Sequence, residues 1–375
     1  MSQAAPAAAQ GPTFGRAAAL ARTICEVPSP TFAEADRAAL LMTLWRDAGL
    51  EPRLDPIGNV LADVPGGSGP RVVLAAHLDT VFEAGTDVSV REAEGRWYAP
   101  GLGDNSASLA VVTALAESIA AGALPERPRL LLCATVGEEG LGDLRGAKAL
   151  VADVAGAVDA FIAVDGHLGG VVHQAVGSVR FEVSLRGPGG HSWGDHGTPS
   201  AVHALGDIIH ALTRIELPRL PRSSLNVGVV RGGTTVNAIA EQASCTVDLR
   251  SVDPVELARL ATEAERRARS VARRHGLEVT VTRVGQRAAA SGGNEALVAA
   301  AERALRTIGI EPQRSASSTD ANAAMAAGLP ALCFGVYRGG DAHRAGEWID
   351  PASLDQGLAA LRELLHELLH ELAAP

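Results

Sequence analysis

Cysteine is scarce in this sequence, and its spacing argues against two kinds of cross-link. The 375 residues include four cysteines, each isolated from the others: Cys25, Cys133, Cys245 and Cys333. Three of them lie within apolar runs typical of strands. This pattern favours buried reduced thiols over disulfides or a thiolate metal site.

Positive charge is also in short supply. With 33 lysines and arginines against 43 aspartates and glutamates, the formal net charge is -10. Because phosphate binding depends on clustered cationic side chains, we expect no nucleic-acid partner. The densest basic run, Arg266 to Arg274, alternates with Glu and Ala and predicts a solvated helix face.

Long hydrophobic runs are missing as well. No segment approaches the roughly 20 apolar residues that a membrane helix needs. The first residues lack the basic and apolar regions of a secretory signal. We therefore expect a soluble, cytoplasmic protein without a membrane partner.

The two outer parts of the chain alternate helical and strand patterns. Hydrophobic periodicity predicts helices over about 13–26, 33–49, 106–121 and 294–308, and from Pro351 onwards. Short apolar runs bounded by turn residues predict strands at RVVLAAH, RLLLCATV, AFIAVD and PALCFGVY. This alternation is typical of an α/β fold, with helices on both faces of a sheet.

The middle of the chain follows a different order. From Gly177, strands and helices are predicted as β-α-β-β-α-β, which is typical of a ferredoxin-like α+β unit with one antiparallel sheet. We therefore predict an inserted domain at 177–287, within a discontinuous domain made of 1–176 and 288–375. A chain of 375 residues is long enough for two compact units.

Two sequence motifs in the first half contain potential metal ligands. His77 ends an apolar strand, where open α/β sheets place ligands, and Asp79 could orient its imidazole. A buried histidine paired with a local aspartate explains this pattern equally well. Asp104 lies in a glycine-rich loop, where it or Ser106 could cap a helix. The glycines also permit the unusual dihedrals that a metal-bridging carboxylate needs.

Glu138 and Glu139 follow the strand RLLLCAT. Adjacent side chains point in different directions, so one can bind metal while the other acts as a general base. Solvated charges after a strand are the simpler alternative. Asp165 follows AFIAV, and His343 follows PALCFGVY. Five potential ligands of nitrogen and oxygen type thus fall at predicted strand ends, which suits two zinc-type ions sharing one carboxylate.

A second metal motif lies near the C-terminus. His366-Glu367-Leu368-Leu369-His370 matches H-E-x-x-H on a predicted helix, a spacing that places two imidazoles on one face. Such a site needs a third protein ligand, and only five residues follow. The run also continues a leucine stripe that faces the core. We therefore interpret this segment as an amphipathic helix.

Taken together, these motifs resemble the di-zinc peptidase family that includes aminoacylase, acetylornithine deacetylase, succinyl-diaminopimelate desuccinylase, carboxypeptidase G and peptidase T. The matching segments are AAHLDTV, GLGDN, TVGEEGLG, AVDG and AHRAGEW, with RGPGGHSW and GGTTVNAIAEQASCTVDLR in the middle of the chain. The resemblance implies a phosphorylase/hydrolase-like catalytic domain with a mixed sheet, interrupted by a ferredoxin-like dimerisation or lid domain.

The resemblance also implies a role for each site residue. Asp104 bridges the metals and precedes a cis peptide bond, while Glu138 is the general base and Asp79 assists. The expected metal ligands are His77, Asp104, Glu139, Asp165 and His343. The metals are expected to be zinc, with cobalt and manganese as alternatives. Arg344 departs from the small residue that more commonly follows the last ligand.

The inserted domain of this family usually forms a homodimer. The resemblance implies that His191 enters the partner subunit's site and that Asn237 and Arg250 contact substrate. A planar guanidinium such as that of Arg250 can grip a carboxylate with two hydrogen bonds. The expected reaction is cleavage of small peptides that carry a free carboxylate. The alternatives are deacylation of N-acyl amino acids and a binding protein that has lost its chemistry.

Overall fold

The computed structural model describes residues 15–154, 156–290 and 294–372. The helices within these ranges are α1 Arg16–Cys25, α2 Ala35–Asp47, α3 Ser108–Ala120, α4 Arg145–Val154, α5 Ala201–Thr213, α6 Pro254–Arg274, α7 Glu295–Thr307, α8 Ala321–Ala326 and α9 Ser353–Glu371.

The strands in the first half are β1 Arg53–Leu54, β2 Val60–Val64, β3 Arg71–His77, β4 Arg91–Ala93, β5 Arg96–Tyr98, β6 Arg129–Thr135, β7 Ala160–Val164, β8 Gly170–Ala175 and β9 Gly177–Arg186. Those in the second half are β10 Gly190–His191, β11 Ser223–Gly232, β12 Ala238–Ile239, β13 Gln242–Ser251, β14 Glu278–Arg287, β15 Gln313–Ser317, β16 Ala331–Phe334, β17 Arg338–Gly340 and β18 Trp348–Asp350.

A mixed sheet organises the outer parts of the chain. Among the described residues its eight strands lie in the order β1-β2-β6-β3-β7-β16-β8-β15. Strands β6, β3, β7 and β16 run parallel, while β2 and β8 are antiparallel to their neighbours β6 and β16. The carboxyl ends of the four parallel strands therefore meet at one edge, where α/β proteins place their sites.

Helices cover both faces of this sheet. On one face, α1, α2, α3, α7 and α9 bury alternate strand residues such as Leu74, and on the other α4 and α8 bury their neighbours such as Val73. The alternation follows from strand geometry, in which successive side chains point to opposite faces. Because both faces of the sheet are covered, its central strands must be apolar along nearly their whole length, as β3 is. The predicted α/β fold with a mixed sheet is confirmed.

Residues 177–287 build a separate antiparallel sheet. Its strands lie in the order β11-β13-β9-β14, and α5 and α6 pack on one face around Phe181 and Val247. Helix α6 begins cleanly because Asp253 accepts a 2.7 Å hydrogen bond from the Glu256 N–H and Pro254 occupies the first turn. The opposite face of the sheet carries polar residues such as Arg250.

Several elements have bounds or neighbours that the periodicity did not predict. Strand β16 ends at Phe334, four residues before the more polar β17, and β15 is an edge strand of sequence QRSAS. All four cysteines are free and buried, as expected. Across the described ranges, no helix has both the length and the apolar character to span a membrane.

Candidate metal centre

Four of the five expected ligands lie at the carboxyl edge of the mixed sheet. His77 is the last residue of β3, and Asp165 directly follows β7. Glu139 lies in the loop after β6, and His343 lies in the loop between β17 and β18, two strands of a separate sheet. The parallel arrangement of β3, β6 and β7 brings the first three side chains to one edge, and His343 meets them through its contacts with Asp104 and Glu139.

Asp104 lies at the same edge but in a turn and not at a strand end, which corrects the expectation that every ligand ends a strand. It lies in the turn Leu102–Ala107 that leads into α3, where its backbone is non-helical. The Asp104–Asn105 peptide bond is cis, as the family resemblance implied. The Asn105 side chain donates a 3.1 Å hydrogen bond to the Val164 carbonyl and thereby fastens this turn to the end of β7.

The Asp104 carboxylate lies between two imidazoles. Its Oδ1 is 2.9 Å from His77 Nε2, and its Oδ2 is 2.9 Å from His343 Nε2. The same His343 nitrogen is 3.0 Å from Glu139 Oε1. Each oxygen of Asp104 thus faces a different nitrogen ligand, which is the arrangement that a carboxylate shared between two cations requires.

The donor set fits divalent ions of zinc type. Ligand atoms of His77, Asp104 and Glu139 all lie within 4.8 Å of one another. Imidazole nitrogen with carboxylate oxygen is a combination that zinc, cobalt and manganese accept. Asp165 directly follows β7, the parallel neighbour of the strand that ends in His77.

The electrostatics of this cluster stabilise positive charge. Burial lowers the pKa of His77, but the hydrogen bond to Asp104 and the nearby Asp79 carboxylate outweigh it and hold that pKa well above its usual value. Hydrogen bonds to Asp104 and Glu139 raise the pKa of His343 to about 11. Burial, reinforced by the Asp104 charge, raises the pKa of Asp165 to about 7. Such a group of carboxylates is suited to binding cations.

Asp79 occupies a different position from the one predicted. His77 Nδ1 lies 2.9 Å from the Asp79 carbonyl oxygen and 3.7 Å from the nearest carboxylate oxygen. The carboxylate instead accepts hydrogen bonds of 2.9 Å and 3.0 Å from the backbone N–H groups of Glu138 and Glu139. Asp79 therefore fixes the loop that carries both glutamates, while its carbonyl group faces the imidazole.

Glu138 has a partner that the sequence did not reveal. Arg287, at the end of β14, donates to Glu138 Oε1 at 3.1 Å and also to the Glu138 carbonyl. Both side chains are buried. Burial raises the pKa of Glu138 well above its usual range, with Arg287 opposing the effect and Glu139 adding to it. The two residues are 149 positions apart, so no local spacing could have indicated this pair.

Glu347 is a second residue that the motif search missed. Its buried carboxylate accepts three backbone hydrogen bonds, from the N–H groups of Gly101, Gly103 and Asp104, at 2.7–3.0 Å. Because Glu347 follows His343 by four residues, it connects the loops that carry two of the ligands. Glu347 is part of the matching segment AHRAGEW, in which His343 and Arg344 were interpreted but the glutamate was not.

The remaining expected site residues are not hydrogen-bonded to this cluster within the described part of the chain. His191 on β10 is exposed, and the backbone N–H of its neighbour Ser192 donates a 3.0 Å hydrogen bond to the Asn237 carbonyl. Arg250 on β13 pairs with Asp248 at 2.8 Å. No hydrogen bond among the described residues links His191, Asn237 or Arg250 to the metal ligands. The exposed Arg344 pairs with Asp341.

The H-E-x-x-H segment on α9 is separate from the metal centre. Both histidines are exposed, and the Glu367 carboxylate is held at 2.6 Å by Arg303 from α7. Within the described part of the chain, this segment belongs to no group of three or more metal-ligating side chains. Leu361, Leu364, Leu365 and Leu368 are buried, which confirms the amphipathic interpretation.

Comparison with known proteins decides the family. The profile of Peptidase family M20/M25/M40 matches residues 73–367. The chain belongs to this family. The resemblance deduced from the motifs is thereby confirmed, and the chain is a hydrolase of metallopeptidase type.

Relatives of this M20 peptidase agree in fold over nearly the whole chain. A tripeptidase from Staphylococcus aureus superposes with a TM-score of 0.78 at 22% identity, covering 95% of this chain and 98% of that one. A dinuclear metal binding peptidase from Bacillus subtilis gives a TM-score of 0.68 at 17% identity, covering 95% and 98%.

One curated relative of the M20 peptidase is named a "Probable carboxypeptidase", from Ajellomyces capsulatus. It is 28% identical over 275 residues, which cover 62% of this chain and 60% of that relative. The match therefore spans less than two thirds of the relative's own length.

Proposed function

We propose that this M20 peptidase uses two divalent ions, with zinc as the leading candidate, to cleave an amide bond in small peptides carrying a free carboxylate. The observation that carries the proposal is the Asp104 carboxylate, each of whose oxygens faces a different histidine at 2.9 Å. Two ions would be held by His77 and Asp165 on one side and by Glu139 and His343 on the other, with Asp104 between them.

The general base in this proposal is Glu138. When bound, the two ions would supply Lewis acidity that polarises the substrate carbonyl and lowers the pKa of water. Glu138 would take a proton from the attacking water and pass it to the leaving amine. Asp79 supports this role, since its carboxylate holds the backbone N–H of Glu138 at 2.9 Å.

We further propose that residues 177–287 form an inserted ferredoxin-like domain, flanked by a catalytic domain of 1–176 and 288–375. Two observations support it: this region has its own sheet, and its buried residues form a hydrophobic cluster distinct from those of the mixed sheet. The strand order β11-β13-β9-β14 is the order expected of β-α-β-β-α-β units of this kind.

The inserted domain is also the proposed homodimer interface. Strand β11 lies at the edge of its sheet and exposes Val230 by 57%, and the nearby Trp193 and Leu220 are exposed by 89% and 86%. Edge strands with exposed apolar residues favour pairing with a second chain. In such a dimer, His191 and Asn237 would complete the partner's site and stabilise the developing oxyanion, while Arg250 would bind the substrate carboxylate.

Removal of an acyl group from N-acyl amino acids is the second candidate, because it too leaves a carboxylate beside Arg250. A panel of dipeptides, tripeptides and N-acetyl amino acids separates the two reactions. We expect higher kcat/KM for peptides. Exclusive hydrolysis of the acetylated amino acids would replace the peptidase proposal with a deacylase.

The Glu138→Ala variant tests the mechanism. We expect it to retain the metal content of the wild type while kcat falls by about 10²–10⁴-fold, since general-base catalysis contributes on this order. Metal analysis and turnover are measured on the same preparation. Near-normal turnover with full metal content would rule out Glu138 as the base.

A further inference from the structure

A cavity of about 250 Å³ opens where the inserted sheet meets the end of β15. The polar side chains along its wall are two arginines and four serines: Arg222, Ser223, Ser224, Arg250, Ser317 and Ser318. None of the described residues lining it carries a carboxylate. In a chain of net charge -10, a wall of guanidinium and hydroxyl groups without an acid is an anion-binding surface.

Strand pairing brings the two arginines to this wall. Arg250 on β13 is directly opposite Ser224 on β11, so both residues point to the same face of the sheet. Arg222 immediately precedes β11, and its carbonyl accepts a 3.3 Å hydrogen bond from the Val252 N–H, which extends the pairing to this residue. The two cations therefore approach the cavity from neighbouring strands.

Arg250 has a carboxylate partner within the protein, whereas Arg222 has none among the described residues. Arg250 Nε donates to Asp248 at 2.8 Å, which leaves its two terminal nitrogens for a ligand. The Arg222 side chain makes no hydrogen bond or ion pair within the described residues. An incoming molecule with a single carboxylate would satisfy Arg250 and leave Arg222 without a counter-ion.

The cavity is adjacent to the proposed base. Ser318 on its wall accepts a 3.0 Å hydrogen bond from Arg287 Nη1, and the same nitrogen donates to Glu138 Oε1 at 3.1 Å. An amide bond attacked beside Glu138 would therefore have one of its two halves directed into this cavity. The half with a free carboxylate is the one that the arginines would attract.

We propose that the cavity receives the amino acid on the amine side of the scissile bond and selects one with an acidic side chain. Arg250 binds its α-carboxylate, and Arg222 binds the side-chain carboxylate, with the serine hydroxyls as further donors. This inference rests on the proposed function and names its substrate class: peptides or N-acyl derivatives of glutamate or aspartate.

Isosteric substrate pairs test the selection. We compare alanyl-glutamate with alanyl-glutamine, and alanyl-aspartate with alanyl-asparagine, using the metal-loaded enzyme. We expect kcat/KM to favour the acidic member by about 2–5-fold, since an ion pair with an exposed arginine contributes on this order. Raising the salt concentration should reduce the ratio, because Arg222 is solvent-exposed.

The Arg222→Ala variant tests whether Arg222 causes the preference for acidic substrates. We expect the acidic-to-amide ratio to fall towards about one. Arg219→Ala removes an exposed arginine that does not line the cavity, so it should keep the wild-type ratio and rates. Calorimetric titration of free glutamate and free glutamine gives a second measurement, in which Arg222→Ala should weaken glutamate binding.

The outcomes separate this inference from the proposed function. Equal hydrolysis of both members of each pair by the wild type, or a ratio unchanged by Arg222→Ala, would overturn the inference and leave the peptidase proposal standing. Absence of hydrolysis on the whole panel would overturn the peptidase proposal. The titration would then still decide whether Arg222 binds an acidic side chain.

Discussion

Glu347 shows how much of this site depends on a residue that binds neither metal nor substrate. Its carboxylate accepts the N–H groups of Gly101, Gly103 and Asp104, in a place where it is 1% exposed. Burial raises its pKa to about 7, although these hydrogen bonds oppose the effect. The backbone at Asp104 and the His343 loop are thereby held in one geometry.

The Glu347→Gln variant should weaken metal binding. Both carboxylate oxygens of Glu347 accept hydrogen bonds from backbone N–H groups. In glutamine one of these oxygens is replaced by an NH₂ group, which cannot accept, so at least one of the three hydrogen bonds is lost. We expect metal affinity, measured by competition with a chelator, to fall by about 10–100-fold.

Asp253→Asn is the control for this prediction. It makes the same acid-to-amide change at a half-buried carboxylate that accepts the Glu256 N–H at the start of α6, in the inserted region. Metal affinity in Asp253→Asn should remain that of the wild type. Equal affinity in Glu347→Gln and the wild type would show that Glu347 does not position the site.

At the scale of elements, helix α4 packs closely against the loop of the two glutamates. Gly146 N–H donates to the Val136 carbonyl at 2.9 Å, and a Cβ added at Gly146 would lie 2.5 Å from that oxygen and from Asn59 Oδ1. The absence of a side chain at this point lets α4 approach the end of β6. The position of the glutamates therefore depends on a helix that contributes no ligand.

The Gly146→Ala variant should be destabilised by about 1–3 kcal/mol, because an overpacked contact forces the backbone to shift. Gly206→Ala is the control: Gly206 lies in α5 with open space around its Cα, so alanine there should stabilise by about 0.5–1 kcal/mol. Urea unfolding of both variants gives the two free energies. A stable Gly146→Ala protein would contradict the close packing described here.

Element prediction succeeded where burial leaves a pattern. Strand β3 is apolar on both faces, and α6 has a single buried stripe, so each produced the expected periodicity. Strand β15, QRSAS, has three of its first four residues polar and lies at the sheet edge, so it left no apolar run to recognise. The turn of Asp104 was predicted as a loop, but its path to the sheet edge depends on Asn105 and β7, which local sequence does not encode.

At the scale of the whole molecule, the expected metal ligands could be predicted from the sequence, but the residues that hydrogen-bond to them and to Glu138 could not. His77 and His343 could be recognised because each lies near the end of a predicted strand. Arg287 and Glu347 act on residues 149 and 243 or more positions away, and such pairs arise only once the chain has folded. The Arg287–Glu138 pair also connects the last strand of the inserted region to the proposed base.

The distribution of site residues over the molecule predicts complementation between subunits. If His191 acts in the partner's site and Arg250 in its own, a mixed dimer of His191→Ala and Arg250→Ala chains contains one complete site. We expect each variant alone to be nearly inactive and the mixture, after subunit exchange, to regain partial activity. A mixture no more active than its components would place both residues in one chain's site.

The most direct test of a two-metal centre bridged by Asp104 is the metal content of the wild type and of Asp104→Ala, measured by elemental analysis after gel filtration. The account predicts about two ions per wild-type chain, because the Asp104 carboxylate would be shared between them. It predicts loss of both ions in the variant, with Asp207→Ala, at an exposed aspartate on α5, as a control that keeps them. A wild type without metal, or an Asp104→Ala chain that retains both ions, would contradict it.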